Sequence, residues 1–465
     1  MTREERAVDE PGGRTWIDYR TVWRWHFYAG LFCIPFVLWL AATGSIYLFR
    51  PQIEAWIDRP YDRLALTGPR TTPEAHVEAA LAAVPGGRLN SYELPLADDS
   101  SVRVLVGKGA ELYRVYVHPQ SAAVLQVVRE DQRLMRRIFY LHGELMMGAR
   151  GSMLVETAAS WAIVLILTGL FLWWPRKAGA AGTLYPRVLR GGRVFWRDMH
   201  AVTGLWVSFF TLFLLMSGLP WAKSWGTLLK GARSVGGDVV ARLAWTTGRE
   251  SELEARIAMN TPPDEATGDE HAAHRAAMVG SSISSSRPYA SLNAMVDTVT
   301  ALELAPPVLI SPPSKAASTW TARSDSANRP RRTNLELDAA TGAVTSRVDF
   351  GERPLIDRMV GVGVAAHEGQ LFGWLNQLVG VFTALGLWTV AISALVLWWQ
   401  RRPALVLGAP LPRISRVPAA VFAIVVVLGL IFPMMGITLM LVLAIERMLL
   451  VRIPAASRFL GLAAG

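Results

Sequence analysis

Residues 26–44 read HFYAGLFCIPFVLWLAATG, and residues 200–218 read HAVTGLWVSFFTLFLLMSG. Each begins with a histidine, carries one glycine four residues on (Gly30, Gly204) and another eighteen on (Gly44, Gly218), and is otherwise mostly apolar. Either stretch meets the roughly 20 residues that a helix needs to cross a hydrocarbon core. A second matched pair follows the same logic. YLHGELMMGARG (140–151) leads into a span ending GLFLWWPRK (169–177), and AAHEGQLFG (365–373) leads into one ending ALVLWWQRR (394–402). His142 precedes Trp173 by 31 residues, and His367 precedes Trp398 by the same interval. The chain therefore reads as a tandem repeat. His26 and His200 are 174 residues apart, but His142 and His367 are 225 apart, so the second half holds extra material.

Of the 465 residues 52% are hydrophobic, which argues against an ordinary soluble chain. Apolar runs occupy 27–49, 153–174, 201–222, 374–399 and 419–445, the last interrupted by Pro433. The fold class expected is a polytopic α-helical membrane protein. A tandem repeat gives a four-helix core, with a C-terminal hydrophobic segment and two small α+β outer domains. The first span lacks a small-residue cleavage site in the right place and reads as a retained helix.

The net charge of +10 is no nucleic-acid signal, because much of it flanks the spans. Arg14, Arg20 and Arg24 precede the first span. Arg176, Lys177, Arg187, Arg190, Arg193 and Arg197 lie between the second and third, and Arg401, Arg402, Arg413 and Arg416 follow the fourth. The positive-inside rule puts all three segments in the cytoplasm. The expected order is a cytoplasmic N-terminus (1–25), a span (26–50), a first outer domain (51–150) and a second span (151–175). A basic loop (176–198), a third span (199–222) and a second outer domain (223–372) follow. A fourth span (373–400), a cytoplasmic loop (401–417) and a terminal segment (418–448) complete it. That last segment is either one Pro-kinked helix or a hairpin, giving five or six passes.

Each outer segment shows a helix, in EAHVEAALAAV (74–84) and SLNAMVDTVTALEL (291–304). Each also shows a short hairpin, in RVYVHPQSAAVLQVV (114–128) and NLELDAATGAVTSRV (334–348). The extra residues are assigned to 261–332, which is Ser-, Pro- and Ala-rich and reads as a loop-like insertion.

The chemistry rests on histidine. Of eight, His26, His142, His200 and His367 hold the repeated positions beside spans. His118 aligns with Asp338 and reads as a turn residue. His271 and His274, in EHAAH, lack the glutamate that should follow the first histidine of a metalloprotease motif. On the topology above, His26 and His200 fall at the cytoplasmic side and His142 and His367 at the outer side. Two histidines at each depth are what two bis-histidine b-type haems require, suited to electron transfer. Gly30 and Gly204 would let a flat macrocycle approach the backbone. Arg24, Arg197, Arg136, Arg137 and Arg358 are candidates for pairing with haem carboxylates, and Glu144 and Glu368 for orienting an imidazole. A histidine at a span end also serves simply as an interfacial residue. Trp173–Trp174 and Trp398–Trp399 with their basic neighbours read as an aromatic belt with anchors. The single cysteine, Cys33, excludes an internal disulfide and covalent c-type haem attachment.

LHGELMMGARG with TGLFLWWPRK, AAHEGQLFG with LVLWWQRRP, the DMHAVTG start and the LDAATGAV hairpin resemble the PepSY-associated transmembrane helix family. So does the terminal IFPMMGITLMLVLAIERML. The resemblance runs from about 18 to 450, and the family includes bacterial iron-uptake membrane proteins and siderophore reductases. It implies PepSY-like periplasmic domains and a bacterial inner-membrane location. For the reductase members it also implies two b haems that carry electrons to ferric siderophores, with His26, His142, His200 and His367 in the ligand positions. The first hairpin departs from the pattern, with Pro-Gln-Ser-Ala where the second has Ala-Ala-Thr-Gly.

The leading expectation is a ferric-siderophore reductase-like oxidoreductase in the lipid bilayer. No Gly-rich dinucleotide fingerprint follows a strand, so the electron donor is expected to be a separate protein, a quinol or a soluble reductant. Two other classes stand beside it: a non-enzymatic membrane protein that binds a partner or regulates a protease, and a transporter.

Overall fold

The computed structural model describes residues 18–175, 179–235, 248–262, 289, 291–410 and 418–462. Among these the first α-helices are α1 (Tyr19–Leu48), α2 (Arg50–Asp58), α3 (Pro73–Ala83), α4 (Leu134–Glu144), α5 (Ala149–Trp173), α6 (Gly192–Gly218) and α7 (Lys223–Val235). Then come α8 (Gly248–Asn260), α9 (Ser291–Thr300), α10 (Leu355–His367), α11 (Trp374–Arg401), α12 (Ala419–Ile431), α13 (Pro433–Met448) and α14 (Pro454–Leu460). The strands are β1 (Arg88–Glu93), β2 (Val102–Lys108), β3 (Glu111–Val117), β4 (Val124–Arg129), β5 (Val308–Ser311), β6 (Trp320–Ser324), β7 (Thr333–Leu337) and β8 (Val344–Asp349).

Among the described residues, five helices are long and apolar enough to cross a membrane. They are α1, α5, α6 with its extension to Trp221, α11, and α13 with its extension to Arg452. The chain is a polytopic membrane protein. α1 and α6 begin at Tyr19 and Gly192, earlier than the apolar runs, so His26 and His200 lie about two turns inside their helices. His142 and His367 stand instead on separate short helices, α4 and α10.

The chain divides into two compact units. One holds residues up to Ala41, Leu154–Leu215 and everything from Leu385. In it the Cys33 thiol meets the Ala158 carbonyl at 3.6 Å, and the Trp161 indole donates to Thr438 on α13 at 3.0 Å. The C-terminal apolar stretch is a hairpin. Phe432 breaks the helix, and a Cβ added at Gly436 would lie only 2.7 Å from the Gly429 carbonyl oxygen. Residues seven apart in a continuous helix would be about 10 Å apart along the axis, so the backbone turns back here. The chain before the hairpin meets the chain after it, through Leu407 N–H to the Phe459 carbonyl at 2.9 Å. Arg24 donates to both the Pro410 and Gly461 carbonyls, at 2.7 and 3.0 Å. The 13 residues of α12 reach about 20 Å, short of the ~30 Å of a hydrocarbon core.

The other unit holds Ala42–Met153 and Met216–Ala384. Its centre is one antiparallel eight-stranded sheet in the order β4-β3-β2-β1-β5-β6-β7-β8. The two outer segments, expected as two small domains, thus share a sheet, joined by Tyr92 opposite Ile310 and Glu93 opposite Leu309. One face buries Val104, Val106, Val115, Val117, Ile310, Leu335 and Leu337 under Val77 and Ala80 of α3 and Leu292, Met295 and Val299 of α9. Both helices lie where the periodicity of the sequence puts them. Thr72 caps α3 by accepting from Ala75 N–H, and Pro73 supplies the first turn.

The opposite face is ionic. Arg103, whose side chain is 3% exposed, faces Asp58, Asp62 and Glu93. Arg114 pairs with Glu93 and Glu130, and Arg133 with Glu54, Asp58 and Glu130. Arg133 is also the residue that starts α4, so the network ties the helix of His142 to the sheet. Burial opposes ionisation of Glu130, but Arg114 and Arg133 outweigh it and hold its carboxyl at about 2.

The assignment of 261–332 to a loop-like insertion needs correction. Residues 308–311 and 320–324 are strands within the sheet. VLIS holds only three apolar residues in a row, which the surrounding Pro- and Ser-rich composition conceals. The extra length lies earlier: α1 ends at Leu48 and α3 starts at Pro73, whereas α6 ends at Gly218 and α9 starts at Ser291. α7 and α8 occupy this interval; His271 and His274 lie outside the described residues.

Candidate functional site: two histidine pairs

The sharp reversal between α4 and α5 fixes His142. Leu145, Met146 and Gly148 take left-handed backbone conformations, and Gly151, in the first turn of α5, lies against Glu144. A Cβ at Gly151 would fall 1.7 Å from the Glu144 carbonyl oxygen, so no other residue fits. This accounts for the last glycine of the LHGELMMGARG stretch.

His142 faces His367 in the sheet-bearing unit, with ring centroids 6.3 Å apart and planes at 81°. His26 faces His200 in the other unit, with centroids 6.2 Å apart and planes at 83°. The four histidines singled out in the sequence therefore come together two by two. Two imidazoles bonded through Nε2 to one metal at about 2.0 Å, with about 1.1 Å from nitrogen to ring centre, would have centroids about 6.2 Å apart. Both spacings fit a shared iron.

The other ring nitrogen of each histidine is held. His26 Nδ1 lies 3.0 Å from Thr168 Oγ1, and His142 Nδ1 lies 3.0 Å from Thr43 Oγ1. His367 Nδ1 lies 2.9 Å from Ser217 Oγ, and His200 Nδ1 lies 3.0 Å from the Val390 carbonyl oxygen. A carbonyl only accepts, so His200 carries its proton on Nδ1 and leaves the Nε2 lone pair for a ligand. A glycine follows each of the three hydroxyl residues and makes room for the ring. A Cβ at Gly169 or Gly44 would lie 3.2 Å from Cε1 of His26 or His142, and one at Gly218 would lie 3.4 Å from Cε1 of His367.

Sequence reasoning did not find Thr43, Thr168, Ser217 or Val390. A signal was present: the dipeptides Thr43-Gly44, Thr168-Gly169 and Ser217-Gly218 each stand four to five residues before the end of a long apolar run. In α11 the residues five before the first tryptophan are Ser393-Ala394, and there a backbone carbonyl serves instead.

Four of the five suggested arginines are engaged elsewhere. Arg24 binds the Pro410 and Gly461 carbonyls, and Arg197 pairs with the buried Asp198. Arg136 pairs with Glu252, and Arg358 donates to the Gly351 carbonyl, while Arg137 is exposed. The tryptophan pairs anchor the chain: Trp173 donates to the Thr183 carbonyl and Trp398 to the Leu407 carbonyl. Arg402 stacks over both Trp398 and Trp399. His118 is a turn residue, its Nδ1 accepting from Gln120 and Ser121 N–H as Asp338 Oδ1 accepts from Ala340 and Thr341. Among the described residues no group of three or more His, Cys, Asp or Glu side chains could hold a metal. Each pair offers two ring nitrogens, a number that would suit a macrocycle bringing its own four.

These observations define a polytopic membrane protein whose helices set four histidines in two facing pairs. The family model described as the PepSY-associated TM region matches residues 23–401, and the chain belongs to that family. The match takes in all four histidines and ends with α11, short of the hairpin. No curated protein matches the chain.

Proposed function

We propose that the chain is a di-haem b-type oxidoreductase of the bacterial inner membrane, passing electrons across it to an external ferric acceptor such as a ferric siderophore. The observation that carries this reading is the 6.2 and 6.3 Å spacing of two histidine pairs, each ring held at Nδ1. His26 and His200 would hold one haem, and His142 and His367 the other. When bound, each haem supplies a six-coordinate centre that takes up and releases one electron.

The protein's own part is to fix the rings. The hydroxyls of Thr168, Thr43 and Ser217 and the Val390 carbonyl orient the imidazoles and raise their basicity toward iron. The glycines beside the hydroxyls let the rings seat against the helices. In this reading the halves of the chain are tandem repeats, α1, α5, α6 and α11 form a four-helix core, and the sheet lies in the periplasm. Reduction of siderophore-held ferric iron weakens its hard-oxygen chelation and frees the metal.

An absorption spectrum of the detergent-purified protein, oxidised and then dithionite-reduced, tests this. Low-spin b-type bands at about two haems per chain are expected, with one haem lost when His26 and His200 become alanine and the other when His142 and His367 do. A colourless protein made with ample haem supply would sink the proposal.

A further inference from the structure

One helical turn beyond Ser217, which holds His367, stands Trp221. The guanidinium of Arg329 lies over its indole, 5.6 Å from the ring centre. Arg329 comes from the loop between β6 and β7, in the one-turn 3-10 helix Arg329–Arg331. Its side chain is 16% exposed, and its nearest carboxylate oxygen, on Glu368, is at 4.0 Å, the outer limit of an ion pair. Its Nε is buried without an acceptor, and the neighbouring Asn328 Oδ1 is buried without a donor.

The other half of the chain offers a comparison. One turn beyond Thr43, which holds His142, stands Tyr47, with Arg50 over its ring at 5.8 Å. Arg50 is satisfied, by Glu54 at 3.2 Å and the Tyr47 hydroxyl at 3.1 Å. Two separate chain segments thus put a guanidinium on the aromatic ring one turn beyond the residue that holds each histidine of this pair. Only one of these guanidiniums is fully used.

We propose that Arg329 is the seat of a carboxylate beside His367. A mostly buried guanidinium whose one carboxylate stands at 4.0 Å and whose Nε has no acceptor is under-compensated, and a second carboxylate would meet its planar fork with two acceptors at once. Nearby Arg332, by contrast, has its carboxylate, Asp325 at 3.0 Å, and donates to the Ser326 carbonyl at 2.8 Å. Burial pushes its guanidinium down to about 10, Asp325 opposes this, and the charge of Arg329 adds to it. The carboxylate has two sources: a propionate of a haem held by His142 and His367, which rests on the function proposed above, or an acidic group of the external acceptor.

The test uses the full chain in detergent, as wild type, Arg329→Gln and Arg329→Lys, with melting temperatures to confirm folding. The probes are ferric citrate and, as a control, a ferric trihydroxamate without carboxylates. If the carboxylate belongs to haem, Arg329→Gln moves the midpoint potential of one haem to lower values. It also speeds loss of that haem about tenfold or more, and ferric citrate binding is unchanged. If it belongs to the acceptor, the haem properties stay put and ferric citrate affinity falls about tenfold or more, while the trihydroxamate is unaffected. Arg329→Lys, which keeps the charge but not the fork, falls between and serves should the glutamine variant misfold. Variants that match wild type in both arms overturn the proposal and leave a guanidinium solvated by water. A colourless protein whose citrate binding depends on Arg329 keeps the seat and removes the haem reading. A di-haem protein indifferent to Arg329 does the reverse.

Discussion

Thr168 Oγ1 lies 3.0 Å from His26 Nδ1, and the same hydroxyl lies 2.7 Å from the Val164 carbonyl one turn back. A hydroxyl has one proton, and the Val164 carbonyl can only accept it. Thr168 therefore accepts from His26, which puts the imidazole proton on Nδ1 and the lone pair on Nε2. Thr168→Val keeps the shape and removes the acceptor. The occupant of the His26–His200 pair should then bind about 10- to 100-fold more weakly. Haem titration of the apo-protein, resolved by the two histidine-pair variants, reads this directly, and an unchanged affinity would show that the hydroxyl does not orient the ring.

The glycines beside the rings give a graded series. Gly44→Ala and Gly169→Ala each bring a Cβ to 3.2 Å from an imidazole carbon, and Gly218→Ala to 3.4 Å. The first two should cost about 1–3 kcal/mol in thermal unfolding and the third less. Gly151→Ala drives a Cβ into a backbone carbonyl and should yield no folded protein. Equal effects at Gly169 and Gly218 would argue against a packing origin.

Glu93 accepts from Arg114 at 2.6 Å and faces Arg103 at 3.8 Å. Glu93→Leu leaves two buried guanidiniums short of a partner, and should destabilise the sheet-bearing unit by about 3–5 kcal/mol. Chemical denaturation followed by tryptophan fluorescence measures it; a cost under about 1 kcal/mol would mean that water enters the network freely.

Acid acts on the same network. The Glu130 carboxyl is held at about 2, below its ordinary value of 4.5. A depressed folded pKa contributes stability above the unfolded pKa and loses it as pH falls through the folded one. The melting temperature should therefore be insensitive to Glu130 above about pH 5 and fall between about 4.5 and 2. Glu130→Gln should flatten that fall, and an unchanged acid limb in this variant would remove Glu130 from the account.

The hairpin predicts sidedness. In a Cys33→Ser background, cysteines at Leu405, which is 93% exposed, and at Arg452 should react with an impermeant maleimide from the same side of the membrane. Labelling from opposite sides would require a full crossing between them.

Legibility in the sequence followed the physics of each element. The spans were plain because length and apolarity suffice to define them, and the histidines because their spacing repeats. The hydroxyl partners were hidden because a threonine or serine in an apolar run ordinarily bonds its own helix, as Thr168 also does. β1 escaped notice because Asn90, Ser91 and Glu93 are buried and polar, held by Asn260, by one another and by arginines. No alternation of apolar and polar residues can signal such a strand. α8 reaches the sheet through Asn260, a contact across 170 residues of chain that local patterns do not encode.

The pairing of β1 with β5 has a consequence for how the molecule is made. β1 leaves the ribosome about 200 residues before β5, which at 5–20 residues per second is roughly 10–40 s. Throughout that time its outer edge carries unpaired amides and carbonyls while α5 and α6 are being synthesised and inserted. An open edge of this kind recruits any strand it meets. Biogenesis must therefore shelter a half-finished sheet until the second half arrives to close it.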